Sequence, residues 1–240
     1  MIAKVKELSL PVACVACNAR KFGICQALDV PELVRFSQSS RRKSIKKGDI
    51  LVFDQDEVTE FANIVKGTIK LSKILSDGRQ QLVGLQFAPE FVGRPYSKSS
   101  GLTIEAATDA DVCVFPRPVF ERMLKEAPEF ERKLMDQILL QLDEARDWMV
   151  TLGRKTASEK VASFLILLLH HIAEPAEESD QKARFELPIT RGDMADFLGL
   201  TLETVSRQLT KLRKAGLISF DDSRHVVIEK RNALLTASGE

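Results

Sequence analysis

The stretch TRGDMADFLGLTLETVSRQL, residues 190–209, decides how the rest of the chain is read. Thr190 stands where a helix N-cap is expected, because its hydroxyl can accept from a first-turn amide that has no partner inside the helix. Ala195 is small enough for a second helix to pack close, and Gly199 supplies a turn that often needs positive φ. Thr201 caps the second helix, which turns Val205 and Leu209 inward one turn apart. Its other side carries Glu203, Ser206 and Arg207 at i, i+3 and i+4, one contiguous polar face. The spacing predicts a helix-turn-helix. A plain helical hairpin with a solvated charged face is the competing reading, and it leaves the agreement of two caps, small residue, turn glycine and basic tail unexplained.

Those residue types suit a DNA major groove. Arg207 can fork onto guanine O6 and N7, Glu203 can accept from a cytosine amino group, and Ser206 can meet a base or a phosphate. Lys211, Arg213 and Lys214 follow with no acid between them, concentrating positive charge for phosphates. Thr190, Arg191 and Thr201, at the two helix starts, complete the candidate DNA-binding set.

Downstream, Ile218-Ser219-Phe220, Asp221-Asp222-Ser223 and Val226-Val227-Ile228 read as a short hairpin. Upstream, Thr156-Ala157-Ser158-Glu159 is a capping box opening a helix with Val161, Phe164, Leu165, Leu168 and Leu169. Glu174 to Asp180 reads as an exposed acidic loop. From Glu129 to Leu152 the apolar residues Met135, Ile138, Leu142, Ala145, Met149 and Leu152 fall at alternating steps of three and four. That is a coiled-coil seam, flanked by Asp136, Asp143, Glu144 and Asp147, and predicts a two-helix dimer contact. A helix buried in its own domain is the alternative.

Before Pro116 the pattern is strand and turn. Ile50 to Phe53, Phe61 to Val65, Ile69 to Leu75, Gln81 to Phe87, Thr103 to Ala107 and Val112 to Phe115 are short runs. Lys66-Gly67, Asp77-Gly78 and Asp109-Ala110-Asp111 mark turns. This argues an antiparallel sandwich or barrel.

At 240 residues, 44 % hydrophobic and 29 % charged, the chain has room for about two globular domains. A formal charge of +1 gives no global electrostatic argument for nucleic acid. No apolar run reaches the roughly 18 residues of a membrane span. Leu10-Pro11-Val12-Ala13-Cys14 faintly resembles a lipoprotein cleavage box, but Lys4, Lys6 and Glu7 interrupt what precedes it, so no export is expected. A cytoplasmic location follows, where a cysteine cluster more often binds metal than forms disulfides.

Four cysteines are present: Cys14, Cys17 and Cys25 spaced C-x2-C-x7-C, and Cys113 alone. Four thiols match the ligand count of an iron–sulfur cluster or a structural zinc, and four bystander thiols are a third reading. Arg20 and Lys21 can offset part of the negative charge. Small residues at Ala13, Ala16, Ala19 and Gly23 can let backbone amides approach the sulfurs.

Taken together, these residues resemble the superfamily of the cyclic-AMP receptor protein and the fumarate-and-nitrate-reduction regulator, over nearly the whole chain. Leu187 to Asp193 and the Glu203, Ser206, Arg207 face are particularly like the second regulator. The resemblance implies an α+β fold. A cysteine segment (1–30) comes first, then an antiparallel β-barrel sensor domain (31–127), a dimerisation helix (128–156) and a winged helix-turn-helix (157–240). It implies one [4Fe–4S] cluster per subunit on Cys14, Cys17, Cys25 and Cys113, although the x7 spacing is longer than the x5 of the best-known member. It implies a homodimer that binds a TTGAT-N4-ATCAA-like palindrome and works with RNA polymerase on anaerobic or microaerobic genes. Oxygen would destroy the cluster, weaken helix pairing and release DNA. The alternative within this resemblance is a regulator whose cysteines bind zinc or act as a thiol redox sensor. The cyclic-AMP branch uses a Gly-Glu pair and an Arg-Ser or Arg-Thr pair. Ala88 to Arg94 lacks the first, and no arginine lies between Ser97 and Cys113, so no cyclic nucleotide is expected.

An enzyme is the contrasting class. His170, His171 and His225 are the histidines, and G-x-S-x-G, P-loop, H-E-x-x-H and G-x-G-x-x-G motifs are absent. A ferredoxin-like electron carrier would have no use for a recognition helix.

Overall fold

Short β-branched and aromatic runs broken by turns build eight strands: β1 Arg41–Ile45, β2 Ile50–Val52, β3 Glu60–Lys66, β4 Thr68–Ile74, β5 Gln80–Phe87, β6 Phe91–Val92, β7 Thr103–Ala106 and β8 Ala110–Pro116. The computed structural model describes residues 10–172, 182–222 and 224–239. Lys4, Lys6, Glu7, the acidic stretch Glu174 to Asp180 and Ser223 lie outside them. The strands form two four-stranded sheets, ordered β1-β8-β3-β6 and β2-β7-β4-β5. The expected hairpin at Asp77-Gly78 joins β4 to β5, closed by the Leu75 amide on the Arg79 carbonyl at 2.8 Å.

Period-two alternation divides the residues of β3 and β8 between two cores. Ala62, Ile64, Val112 and Val114 point into the β-roll. Phe61 and Phe115 point the other way, and Cys113 packs with them. That outer face is covered by α3 (Val30–Gln38) and α4 (Arg117–Glu126), with Phe36, Phe61, Phe91, Phe115, Phe120 and Phe130 all buried in it. Phe36 stacks on Phe115 with ring centroids 4.1 Å apart. Each buried phenylalanine contributes about 1.5–3 kcal/mol.

Among the elements not expected from the sequence are two strands of the β-roll and the helix before it. Strand β1 reads Arg-Arg-Lys-Ser-Ile and lacks an apolar run because it is a charged edge strand. Strand β6 is two residues long. Helix α3 did carry a local signal, since Asp29 and Glu32 form a reciprocal capping box with proline in the first turn.

Helix α5 runs Pro128–Arg154, about 40 Å at 1.5 Å per residue. The seam is exposed in the single chain: Met135 by 52 %, Leu142 by 43 % and Met149 by 73 %. Leu139, Leu140 and Val150 are exposed as well, so the apolar face is broader than the heptad pattern suggests.

Helix α6 (Ala157–Ile172) begins at the expected capping box, with the Thr156 amide on Glu159 Oε2 at 2.7 Å. Val161 to Leu169 are all buried. Then come β9 (Ala183–Glu186), α7 (Arg191–Leu198), α8 (Leu202–Lys214), β10 (Ile218–Phe220), β11 (His225–Ile228) and α9 (Arg231–Ala237). The expected hairpin is β10–β11, and β9 adds a third strand in the order β10-β11-β9. The described residues divide into two compact units, one of those up to Lys73 with Leu85–Leu142, the other of Ile74–Gly84 with those from Asp143 on. Among the described residues no helix is long and apolar enough to cross a membrane.

Candidate functional site

The N-terminal segment is built from pieces too short to be stable alone: α1 (Val12–Val15), α2 (Asn18–Lys21) and a 3-10 turn (Ile24–Ala27). It is held down by buried Ala19, Ile24, Cys25 and Leu28. Gly23 fits because a Cβ there would lie 2.7 Å from the Pro89 carbonyl oxygen and 2.9 Å from that of Ala19. Its role is therefore close packing. The Gly23 amide goes to the Ala19 carbonyl at 3.1 Å.

All four cysteines are free thiols. Cys14 comes from α1, Cys17 stands just before α2, Cys25 lies in the 3-10 turn and Cys113 at the middle of β8. Together they line one cavity of about 130 Å³, with Arg20, Ser40 and Arg42 also in its wall. Among the described residues no three His, Cys, Asp or Glu side chains converge on a single-ion position; the thiols surround a space.

The electrostatics reflect that proximity. Burial first, then the neighbouring Cys113, Cys17 and Cys14, push the Cys25 thiol far up, against a hydrogen bond from Asn63 Nδ2 at 3.3 Å. Burial also raises Cys14 and Cys113. Arg42 and Arg20 oppose it at Cys14, and the Ser40 hydroxyl and Arg42 oppose it at Cys113. Arg42 thus does what the sequence suggested for Lys21, which is exposed and absent from the cavity wall. Ser40, Arg42 and Asn63 were all missed. A polar residue inside the apolar run Phe61 to Val65 was the available signal for Asn63.

Without a metal the raised thiols stay protonated; loaded as thiolates, they would need a cationic centre between them. The donor set fits an iron–sulfur cluster: sulfur ligands alone, on separate elements, about a cavity with cations in its wall.

A second cavity, about 260 Å³, lies inside the β-roll, lined by Leu51, Val52, Leu71 and Val112 among apolar residues and by Lys43, Gln86, Arg94 and Gln141 among polar ones. Val112 and Val114 line this one while Cys113, between them, lines the thiol cavity.

In the helix-turn-helix, the Thr190 hydroxyl accepts from the Asp193 amide at 3.0 Å and Thr201 accepts from the Thr204 amide at 3.2 Å. Gly199 is left-handed at φ 60°, where a Cβ would be strained. Ala195, Val205 and Leu209 are buried as expected. Glu203 and Arg207 are exposed and Ser206 is half-buried, so the three do share a surface. The Glu203 carboxylate is held below its usual range by its own backbone amide and the Thr201 hydroxyl. Lys211, Arg213 and Lys214 are exposed along the last turn. Arg191 lies over the Phe220 ring, 5.8 Å from its centroid, and so packs on the wing.

Comparison with known proteins agrees with this architecture. Residues 42–127 match the family described as "Cyclic nucleotide-binding domain" and residues 159–237 the "Crp-like helix-turn-helix domain". The chain is 49 % identical over 228 residues, 95 % of its length and 94 % of the relative, to a "Probable transcriptional activator" of Rhizobium leguminosarum bv. viciae. It is 38 % identical to the "Transcriptional activator protein FnrL" of Cereibacter sphaeroides, covering 95 % of this chain and 92 % of that one. The solved structure of FixK2 from Bradyrhizobium japonicum superposes with a TM-score of 0.74 at 31 % identity, over 82 % of this chain and 96 % of that one. These relatives are regulators and not enzymes, which removes the enzyme alternative. The chain belongs to the CRP/FNR family of transcriptional regulators.

Proposed function

We propose that this regulator is an oxygen-responsive transcriptional activator that holds one [4Fe–4S] cluster per subunit on Cys14, Cys17, Cys25 and Cys113. The observation that carries this is the single cavity lined by all four thiols, although they come from separate elements. What such a cluster supplies is lability to oxygen. The protein's own residues do the rest: Arg20 and Arg42 set positive charge beside the thiols, and burial keeps bulk water from Cys17 and Cys25.

The output follows from α5. Its exposed apolar face is read as the homodimer contact, and Cys113 on β8 is followed directly by α4 and then α5. A loaded thiol site braces β8 and favours pairing. Two-fold symmetry then sets two α8 helices about one DNA turn apart. By resemblance the half-site is TTGAT, read by Glu203, Ser206 and Arg207, with RNA polymerase as the further partner in the cytoplasm. The β-roll cavity is read as no cyclic-nucleotide site, because the Gly-Glu and Arg-Ser pairs are missing.

The test is elemental. Protein purified without air should carry about four iron and four sulfide per chain, and serine at any one of the four cysteines should abolish both. Zinc in place of iron, or a dispensable cysteine, contradicts the reading.

A further inference from the structure

Asn63 is the polar residue of β3 among Phe61, Ala62 and Ile64, all buried, and it is itself fully buried. It faces Cys113 across the β3–β8 pair and Phe91 across β3–β6. A strand paired on both sides fixes its backbone. From there Nδ2 donates to Cys25 Sγ at 3.3 Å, while its carbonyl Oδ1 has no protein partner.

Packing does not account for an amide here. A buried, unpaired polar atom costs about 1–3 kcal/mol, and leucine would fill nearly the same volume without one. What leucine lacks is an N–H for a sulfur. The amide also bridges two parts of the thiol site distant in sequence: its side chain reaches Cys25 in the N-terminal segment, and its backbone pairs with Cys113 on β8.

We propose that Asn63 is a positioning residue of the thiol site, whose amide N–H holds the Cys25 sulfur and thereby sets how long a bound cluster survives. This rests on the cluster reading above. Outer-shell hydrogen bonds to metal ligands typically account for 10–100-fold in affinity. They orient the ligand and stabilise negative charge on the sulfur. The strand delivers this donor more rigidly than a loop would, which is the condition for a constant lifetime.

A role in the site and a role in the fold predict opposite signs. In Asn63→Leu the buried orphan oxygen disappears, so the metal-free protein should unfold at the same temperature as the parent or higher. Its cluster should bleach about 10–100-fold faster when an iron chelator is added without air. Asn63→Asp keeps the shape, puts a carboxylate beside the thiolates and should hold less cluster than the leucine variant. Leucine protein with parental bleaching rate overturns the proposal, and so does leucine protein whose faster bleaching tracks a lowered metal-free melting temperature. A parent that binds no iron overturns the cluster reading itself, and that result is read from the parent alone.

Discussion

The guanidinium of Arg42 donates to the carbonyl oxygen of Ala13 at 3.0 Å, while Arg42 itself pairs with Cys113 across β1–β8. One exposed side chain therefore ties the residue before Cys14 to the strand that neighbours the fourth thiol. It acts in two ways, as a tether and as a nearby positive charge on Cys14 and Cys113.

Arg42→Gln removes the charge and shortens the reach. In metal-free protein at fixed pH near 8, alkylation of Cys14 and Cys113 should slow several-fold, because both thiols rise further. Mass mapping of the alkylated peptides checks it.

Gly23→Ala tests the packing under Cys25. The new Cβ meets two backbone oxygens, which cannot rotate away. Iron per chain should fall well below half of the parental value. Gly153→Ala is the control: on α5 a Cβ there meets nothing within 4 Å, and it should leave iron content unchanged.

The buried thiols give a pH dependence. In metal-free protein Cys14, Cys25 and Cys113 all titrate above the ordinary thiol range, with burial the first cause in each. A folded value raised above the unfolded one adds stability that is present below about pH 8.5 and lost as pH rises beyond it. Metal-free protein should therefore lose stability in chemical denaturation as pH climbs from about 8.5 to 10. Cluster reconstitution runs the other way, because loading must expel the thiol protons, and its extent should grow from about pH 6.5 to 8.5.

Which parts were legible in the sequence has a physical pattern. Caps and turns are local, so Thr156, Thr190, Gly199 and Thr201 read correctly from a few neighbours. The six-residue seam on α5 is periodic and was equally plain, but its flanking Leu139, Leu140 and Val150 are off-period and blurred the width of the face. Strand β1 defeated the reading because an edge strand need not be apolar. At the thiol site the four cysteines were visible by residue type alone. Their surroundings were not, since Arg42 and Asn63 reach the site across strand pairings that no local pattern encodes.

On α8, side chains suited to bases and side chains suited to phosphates are separable by substitution. Arg207→Ala should cost about 1–3 kcal/mol on a TTGAT palindrome and relax preference at the guanine. Lys214→Ala should weaken all sequences alike and make the salt dependence shallower. Binding titrations on the palindrome and on substituted half-sites, at two salt concentrations, separate the two effects.

Thiol site, dimer and DNA binding are coupled in this reading, and sedimentation reports on all three. Anaerobically purified protein is sedimented with and without the palindrome, then exposed to air until its visible absorbance is gone, and sedimented again. A dimer on DNA is expected before exposure, and a dimer at least tenfold weaker, released from DNA, after it. An unchanged dimer with unchanged DNA affinity after cluster loss would show that the thiol site does not control pairing.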